Sequence, residues 1–403
     1  MRLVIPVTIM RGGTSKGVFI RREDFPDWDD PVRRDNIILA LMGSPDPMQI
    51  DGLGGTHSST SKVMVVAPSA KEGFDVEYTF AQVGIDRPIV DFRGNCGNLT
   101  SAVAPFAIAE GMIKAVEPVT RAVLWNTNTS KRIVAEIPVQ DGVVVEHGDF
   151  RIDGVPGTGA PIVTHFYDPA GAATGRLFPT GRTRDILQTS RGTFEVSIID
   201  VTNPVVFVRA TDVGIRGDES PSELNANREL LELLEEIRRK AGVLAGIHPD
   251  EISASGSNLP VISMVAPPRD YTTVHGQKIS GEQIDLLGRM VSLQKVHHAY
   301  PGTGAMCTAA AAKLPGTIVY EVARVREDEY VIIGHPKGTI HPGVEVKVRE
   351  DGLPEVVRVA IVRTARRLLR GEAYIYYSER RSPLEAMVSL SPARSEGGGI
   401  HDP

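Results

Sequence analysis

RGNCGNLTSAVAPFAIAEGM, residues 93–112, is a turn rich in Gly and Asn that leads into an apolar, Ala-rich segment. Gly and Asn tolerate the backbone angles of a tight turn, so residues 94–98 are expected to form a turn and the residues after it to begin a helix. A helix that is apolar on most of its faces is expected to be buried. The stretch therefore predicts a central buried helix with Cys96 at its N-terminus, where free backbone N–H groups favour an anion.

A second stretch, YPGTGAMCTAAAAKL (residues 300–314), has the same organisation. Gly302, Thr303 and Gly304 form its turn. Cys307 follows inside the first helical turn, where a buried packing role is expected for a free cysteine. Each helix is followed by a strand-like sequence, VTRAVLWNT (residues 119–127) and GTIVYEVA (residues 316–323).

Two further pairs of similar segments occur in the same order along the chain. TSKGVFIRREDF (residues 14–25) matches TNPVVFVRATDV (residues 202–213), and SSTSKVMVVAPS (residues 58–69) matches GSNLPVISMVAPP (residues 256–268). Three ordered pairs indicate duplication of one unit, although strand–turn–helix units also look alike by chance. The expected fold class is α+β, with two pseudo-symmetric halves, each a curved β-sheet or barrel around a central helix.

The duplication suggests how the chain is divided. We expect an N-terminal half over residues 1–185, a C-terminal half over residues 186–377, and a tail rich in Ser, Gly, Pro and charge over residues 378–403. In the second half, SPSELNANRELLELLEEIRRKAGVL (residues 220–244) has the caps and amphipathic pattern of a long helix. A further helix is predicted over GEQIDLLGRMVSLQKVHH (residues 281–298).

The composition excludes several classes of protein. The 403 residues are 41% hydrophobic and 23% charged, with a net charge of −6, and no block of like charges suggests nucleic acid or a membrane surface as partner. No apolar run approaches the roughly 20 residues of a transmembrane helix, and the first 13 residues read as a strand rather than a signal peptide. Two cysteines cannot form a disulfide framework, so a cytoplasmic, reducing location is expected. A homodimer is left open.

No spacing of His, Cys or carboxylate residues suggests a metal site. His297 and His298 are adjacent, and on a helix their side chains would point about 100° apart, which suits a shared metal poorly.

Lys62 is a second candidate for chemistry. It ends a loop of small polar residues in GGTHSSTSKVMVV (residues 54–66), directly before an apolar strand. A lysine at the head of a buried strand loses solvation, and its pKa falls toward that of a useful base. The alternative is a solvated lysine at a strand start, the usual position of this residue type.

The remaining candidates would hold an anion. The turn at residues 11–17 offers glycine amides and the hydroxyls of Thr14 and Ser15, and the alternative is an ordinary turn with Arg11 and Lys16 solvated. Arg93 and Arg269 are candidate carboxylate partners, because arginine binds carboxylates with two hydrogen bonds. His57 or His147 could pair with Cys96 in a hydrolase, which spacing alone does not decide.

Together these motifs resemble the PrpF family, which includes 2-methylaconitate isomerase, 4-oxalomesaconate tautomerase and 2-methylitaconate isomerase. The resemblance rests on RGGTSKGVF (residues 11–19), the loop before Lys62, GNCGN (residues 94–98) and PGTGAMCTAAAA (residues 301–312), and it extends to about Tyr377. The family is similar in fold to diaminopimelate epimerase, which has two pseudo-symmetric halves and an active site between them.

The resemblance implies a cofactor-independent isomerase that moves an allylic proton on a small unsaturated di- or tricarboxylate. Lys62 would remove the proton, and either Cys96 or Lys62 would return it. Diaminopimelate epimerases have a second cysteine where this chain has Pro301, which disfavours amino-acid racemisation. The implied substrate-binding residues are Thr14, Ser15, Asn95, Gly97, Asn98, Gly302, Thr303, Gly304, Met306 and Arg269.

Three other functions stay open at this point. The scaffold could carry an amino-acid epimerase, or a non-catalytic accessory protein that binds a carboxylate metabolite. A thiol hydrolase based on Cys96 is a third, weaker alternative.

Overall fold

A computed structural model describes residues 2–255, 257–324 and 328–377 of the chain. The tail expected over residues 378–403 lies outside the described residues. In chain order the strands are β1 (Arg2–Gly12), β2 (Ser15–Arg21), β3 (Lys62–Pro68), β4 (Val76–Val83), β5 (Val90–Asp91), β6 (Val119–Asn126), β7 (Lys131–Gln140), β8 (Val143–Val144), β9 (Ile162–Tyr167), β10 (Asp185–Thr189), β11 (Gly192–Val201), β12 (Asn203–Arg209), β13 (Val261–Ala266), β14 (Tyr271–Thr272), β15 (Lys278–Ile279), β16 (Leu286–Ser292), β17 (Lys295–Val296), β18 (Ile333–His335), β19 (Gly338–Ile340), β20 (Gly343–Val348), β21 (Pro354–Arg363) and β22 (Ala365–Tyr376). The α-helices are α1 (Pro31–Met42), α2 (Gly97–Ala109), α3 (Pro221–Ala226), α4 (Arg228–Leu244), α5 (Glu251–Ser255), α6 (Gly302–Ala312) and α7 (Ile318–Val322).

Most strands belong to two large sheets. The first has the order β20-β21-β9-β7-β6-β4-β3-β2-β1-β22, with β5 and β8 paired at its side. The second has the order β10-β11-β12-β13-β16-β18-β19, with β17 beside β16. None of the helices in the described part of the chain combines the length and apolar composition that crossing a membrane requires.

The two sheets share one pattern of strand pairing, which supports the duplication. β1 and β2 are antiparallel, β2 and β3 parallel, β3 and β4 antiparallel, and β4 and β6 parallel. The strands β11, β12, β13, β16 and β18 repeat this order of pairings. Even the register agrees, because Val18 is opposite Val63 in the first half and Val206 is opposite Ile262 in the second.

The two central helices are fully enclosed. Residues 97–108 of α2 and every residue of α6 are buried, and both helices consist largely of Ala and other small residues that allow close packing. The first sheet curves around α2, while α6 lies between the second sheet and strands β20 and β21. Both helices contribute to one continuous apolar core, so the expected α+β fold of two similar halves around central helices is confirmed.

The sheets do not follow a linear division of the chain. β20, β21 and β22 come late in the sequence but complete the first sheet, where β22 pairs along the whole of β1 and β21 pairs with β9. The expected boundary at residue 185 coincides with the start of β10 and of the second sheet. As a division into domains, the boundaries at residues 185 and 377 stay a prediction.

Two of the local predictions are wrong. Residues 281–298 form a short 3-10 helix and then β16 and β17 instead of a long helix, because the entirely buried β16 pairs with both β13 and β18. Residues 316–323 form α7 instead of a strand. Its start is capped by the Thr317 hydroxyl, which accepts from the Tyr320 N–H.

The helix predicted over residues 220–244 is present but interrupted. Ser220 and Glu223 form a capping box at the start of α3, and Asn227 ends that helix and caps α4 by accepting from the Leu230 N–H. The apolar face of α4 then packs on the second sheet.

Candidate active site

The N-termini of α2 and α6 meet at the centre of the molecule. Cys96 is the residue before α2 and Pro301 the residue before α6, and neither side chain caps its helix. The contact is close, because a Cβ atom added to Gly97 would lie 3.0 Å from the Thr303 nitrogen, and one added to Gly302 would lie 3.2 Å from the Asn98 nitrogen. The first N–H groups of both helices, which have no acceptor within their helix, are therefore available to one ligand.

A cleft lies in front of these helix ends. Both halves of the molecule supply its walls, and small or polar residues dominate. The lining residues are Ser15, Ser58, Lys62, Phe80, Gln82, Asp91, Gly94, Asn95, Cys96, Gly97, Asn98, Asn203, Asn258, Leu259, Val261, Ser292, His297, Pro301, Gly302, Thr303 and Gly304.

Lys62 is the first residue of β3 and points into this cleft. It is only 8% exposed, its Nζ donates to Gln82 Oε1 at 2.5 Å, and Nζ lies 4.9 Å from the centre of the Phe80 ring. Burial lowers the pKa of Lys62, and the hydrogen-bonded thiol of Cys96 opposes that shift only in part. The amine is thus closer to its neutral, proton-accepting form than a surface lysine.

Cys96 lies within reach of this amine. Cys96 lines the same cleft, its side chain raises the pKa of the Lys62 amine, and its Sγ is 3.8 Å from Ser15 Oγ. Its backbone N–H donates to Asn95 Oδ1 at 2.7 Å, which fixes the turn that presents the thiol. The two side chains chosen from the sequence as catalytic therefore meet at one point of the cleft, while their catalytic roles stay predictions.

The second half of the molecule carries no equivalent pair. The register of the repeated strands makes Val261 the counterpart of Lys62, and the repeated turns make Pro301 the counterpart of Cys96. Val261 and Pro301 both line the cleft, and neither can accept or donate a proton. The lysine–thiol pair is therefore supplied by the first half alone.

Asn203 is a lining residue that the sequence analysis missed. Its Nδ2 donates to Asn95 O at 2.9 Å and to Thr303 Oγ1 at 3.0 Å, and its Oδ1 accepts from the Asn95 N–H at 3.0 Å. It joins the turns before the two helices. The repeat could have revealed it, because Asn203 occupies the position of Ser15 in the matched segments.

Gln82 and His297 were also missed. Gln82 is paired with Lys62 across β3 and β4, and its Nε2 donates to the carbonyls of Ser58 and Ser61. Burial, with smaller contributions from His298, His57 and Lys62, holds the pKa of His297 well below its usual range. His297 and His298 lie in an irregular segment, so their rings stack at 4.7 Å instead of diverging. No cluster of metal-binding side chains occurs among the residues that the structure describes.

Most residues predicted to bind substrate do line the cleft, namely Ser15, Asn95, Gly97, Asn98, Gly302, Thr303 and Gly304. Thr14 lies just behind it and accepts from Asn98 Nδ2 at 3.1 Å, and Met306 is buried in the core with its Cε facing Gly97. Arg269 is not at the cleft, because the segment after β13 leads it away to pack its backbone against Gly281.

The remaining candidate residues from the sequence lie in other environments. Arg93 donates from its Nε to Asp91 Oδ1 at 3.0 Å. Burial raises the pKa of Asp91, but the charge and hydrogen bonds of Arg93 outweigh burial and hold that pKa below its usual value. Cys307 is fully buried in α6, where burial raises the pKa of its thiol, as a packing role requires. His57 lies against His298, with ring centres 5.1 Å apart, and His147 lines a separate cavity.

Comparison with known proteins gives one consistent result. The sequence pattern of the family described as PrpF protein matches residues 2–376. The chain is 48% identical to 3-methylitaconate isomerase of Eubacterium barkeri over 375 residues, which cover 92% of this chain and 97% of that protein. It is 41% identical to 2-methyl-aconitate isomerase of Shewanella oneidensis over 384 residues, covering 92% and 96% of the two chains.

Solved structures agree with the architecture described above. The crystal structure of a methylitaconate-delta-isomerase has a TM-score of 0.74 and 47% identity, covering 93% of this chain and 96% of that one. A hydroxyproline epimerase from Agrobacterium vitis has a TM-score of 0.56 at 15% identity, covering 93% and 94% of the two chains. The second likeness concerns the fold alone.

Proposed function

The chain belongs to the PrpF protein family, and from that premise we propose that it is an isomerase that shifts an allylic proton on a small unsaturated di- or tricarboxylate. The candidate substrates are acids of the methylitaconate, 2-methylaconitate and oxalomesaconate type. The observation that carries the proposal is that one cleft, beneath two converging helix N-termini, is lined by both the buried amine of Lys62 and the thiol of Cys96.

The helix ends are suited to hold the substrate's carboxylates. The first-turn N–H groups of α2 and α6 carry partial positive charge, and the residues of both helix N-termini line the cleft. A carboxylate conjugated to the reacting carbon would be held there. Negative charge that develops on its oxygens in the transition state would then be stabilised without rearrangement of the protein.

The proton transfers follow from the position of Lys62. Neutral Nζ takes a proton from the allylic carbon, the C–H bond breaks, and its electron pair moves into the conjugated system to give a dienolate. A proton is then returned to the other end of the allylic unit, by the Cys96 thiol or by the Lys62 ammonium group, and the double bond is shifted. Conjugation within the substrate stabilises the carbanion, so we propose a reaction without cofactor.

One feature of the cleft favours this reaction over amino-acid epimerisation. Val261 and Pro301 stand where a second pair of proton-transferring groups would be. The two free, buried thiols are compatible with the cytoplasmic location that we propose. A homodimer stays a prediction.

NMR in deuterated buffer measures proton removal, seen as deuterium uptake, separately from isomerisation. The substrates are acids of the methylitaconate, 2-methylaconitate and oxalomesaconate type. Lys62→Ala should lower both deuterium uptake and isomerisation by roughly 100-fold or more, the range that general acid–base catalysis supplies. Cys96→Ala should retain deuterium uptake if Cys96 only returns the proton. It should lose both deuterium uptake and isomerisation if Cys96 assists proton removal.

Lys71→Ala is the matched control, because Lys71 is an exposed lysine in the turn after β3. A panel of chiral amino acids tests the epimerase alternative. Wild-type activity in Lys62→Ala, or tight binding of the acids with no deuterium uptake in the unmodified protein, would contradict the proposal.

A further inference from the structure

A second cavity, here named the rear cavity, lies behind the candidate active site. It shares no lining residue with the cleft. A thin wall separates the two, since Thr14 and Tyr300 line the rear cavity while their chain neighbours Ser15 and Pro301 line the cleft.

The rear cavity holds a buried guanidinium group with unused hydrogen-bonding capacity. Arg363, the last residue of β21, is 6% exposed and lines the cavity. Its Nε donates to Asn98 Oδ1 at 3.0 Å and its Nη1 to the Val362 carbonyl at 2.9 Å. Among the described residues, nothing accepts from Nη2 and no carboxylate forms an ion pair with Arg363.

Burying a cation without a counter-ion costs free energy, so an anionic partner for Arg363 would be favourable. Burial alone lowers the pKa of Arg363 to about 9, with no nearby acid opposing the shift. The group therefore remains charged at neutral pH. An anion in the cavity would supply the missing partner through a charge-assisted hydrogen bond.

Other ionisable groups at the cavity favour an anion with one negative group. His335 is fully buried, and its pKa is lowered to about 3 by burial first and by Arg289 and Arg363 next, so it is neutral. Asp153 is the only acid among the described lining residues, and its Oδ2 already accepts from the Thr339 N–H at 2.7 Å. A second negative charge on the ligand would face this carboxylate, and the other arginine of the lining, Arg151, is exposed, where ion pairs contribute little.

Much of the remaining lining is apolar. Phe150, Ile152 and Ile340 contribute hydrocarbon surface, and Tyr300 presents its ring because its hydroxyl is already engaged with Ser263 and Thr308. Pockets of this kind bind a ligand body by burial of apolar surface and orient it through a few polar groups.

We propose that the rear cavity is a second ligand site, for a monocarboxylate with an apolar or aromatic body whose carboxylate pairs with Arg363. The site is separate from catalysis and does not depend on the proposed isomerase reaction. It is nevertheless linked to the cleft through Asn98, whose Oδ1 accepts from Arg363 and whose side chain also lines the cleft.

The probe is 4-fluorobenzoate, followed by ¹⁹F NMR with the full-length protein. It should bind the wild-type protein, and an excess of tricarballylate, a saturated tricarboxylate directed at the cleft, should leave that binding in place. Arg363→Gln should weaken it at least tenfold, whereas Lys62→Ala should retain it. Arg151→Gln, which removes an exposed arginine of the same lining, is the matched control and should have the smaller effect.

A second measurement locates the probe without any substitution. In wild-type protein labelled at its isoleucine methyl groups, the signals of Ile152 and Ile340 should shift on titration. Absence of binding, displacement by tricarballylate, or methyl shifts confined to residues outside the rear cavity would each overturn the proposal. None of these outcomes bears on deuterium uptake at the cleft, so the two proposals can fail independently.

Discussion

At the scale of single residues, the central feature is an amine held in an environment that disfavours its charge. Lys62 is enclosed by Gln82, Phe80 and Cys96, and no carboxylate lies among these contacts. The fold therefore keeps the lysine at a cost in stability, and that cost depends on pH.

The first prediction concerns this dependence. The pKa of Lys62 in the folded protein lies below the value of about 10.4 for an unfolded chain. Between the two values the unfolded state binds more protons, so the free energy of unfolding of the wild type should rise with pH through this interval. Below it the cost of burying the ammonium group is fully present. Lys62→Met lacks this contribution, so its stability relative to wild type should be highest near pH 7 and should decrease toward pH 10.

Urea unfolding at several pH values measures this difference, with Lys71→Met as the control for loss of an exposed lysine. A stability difference between Lys62→Met and wild type that does not change with pH would show that Lys62 is not buried as a cation. The kcat/KM of the wild type should increase over the same interval, because only the neutral amine accepts a proton.

Residues whose proposed role depends on local chemistry could be predicted from the sequence, whereas residues defined by distant contacts could not. Cys96 and Lys62 stand beside a glycine turn and a polar loop that can be read directly. Gln82 is significant only because the β3–β4 register places it opposite Lys62. Arg269 was predicted from its residue type alone, which gives no information about its position in the fold.

At the scale of secondary-structure elements, the contact between α2 and α6 determines the shape of the cleft. Gly97 and Gly302 let the two helix ends approach until their backbones touch. Any side chain at these positions would separate the N–H groups that are proposed to share one substrate.

The second prediction tests this contact with Gly302→Ala. The new Cβ would lie 3.2 Å from the Asn98 nitrogen and 3.3 Å from the Gly97 carbonyl carbon, so the helix ends must move apart. We expect kcat/KM to fall by about tenfold or more, since small misplacements of catalytic groups have large effects on rate. Gly371→Ala is the control, because its Cβ would meet only Leu369 Cδ2 at 3.7 Å. Equal kcat/KM for both variants would contradict the role given to this contact.

The two wrong element predictions have a common physical cause. Ile284, Leu287 and Val291 recur at helical spacing, yet the segment is a strand because it is buried between two neighbouring strands. Residues 316–323 are rich in β-branched residues, yet they form α7, whose buried Ile318, Val319 and Val322 lie on one face. In both segments tertiary packing overrides the local preference.

At the scale of the whole molecule, the halves are similar but not independent. The core around α2 is continuous with that around α6, and the last three strands complete the first sheet. The duplication was visible in the sequence because its repeated turns are local. The pairing of β22 with β1 could not be predicted from the sequence, because it joins segments more than 350 residues apart and no local pattern indicates it.

The third prediction is that the protein unfolds as one unit. Both tryptophans, Trp28 and Trp125, lie in the first half, and Cys307 is the only thiol left in a Cys96→Ala variant. Because the halves share a core, tryptophan fluorescence and pulsed alkylation of Cys307 should give the same urea midpoint. Alkylation of Cys307 at clearly lower urea, with native fluorescence retained, would mean that the second half opens on its own.

The close approach of Gly97 and Gly302 has a consequence for the stability of the protein. Two helix N-termini that meet bring like partial charges together, and an anion between them would reduce this repulsion. The surrounding core holds the two helix ends together against it. Carboxylates that fit the cleft should raise the melting temperature of the protein even when they cannot react.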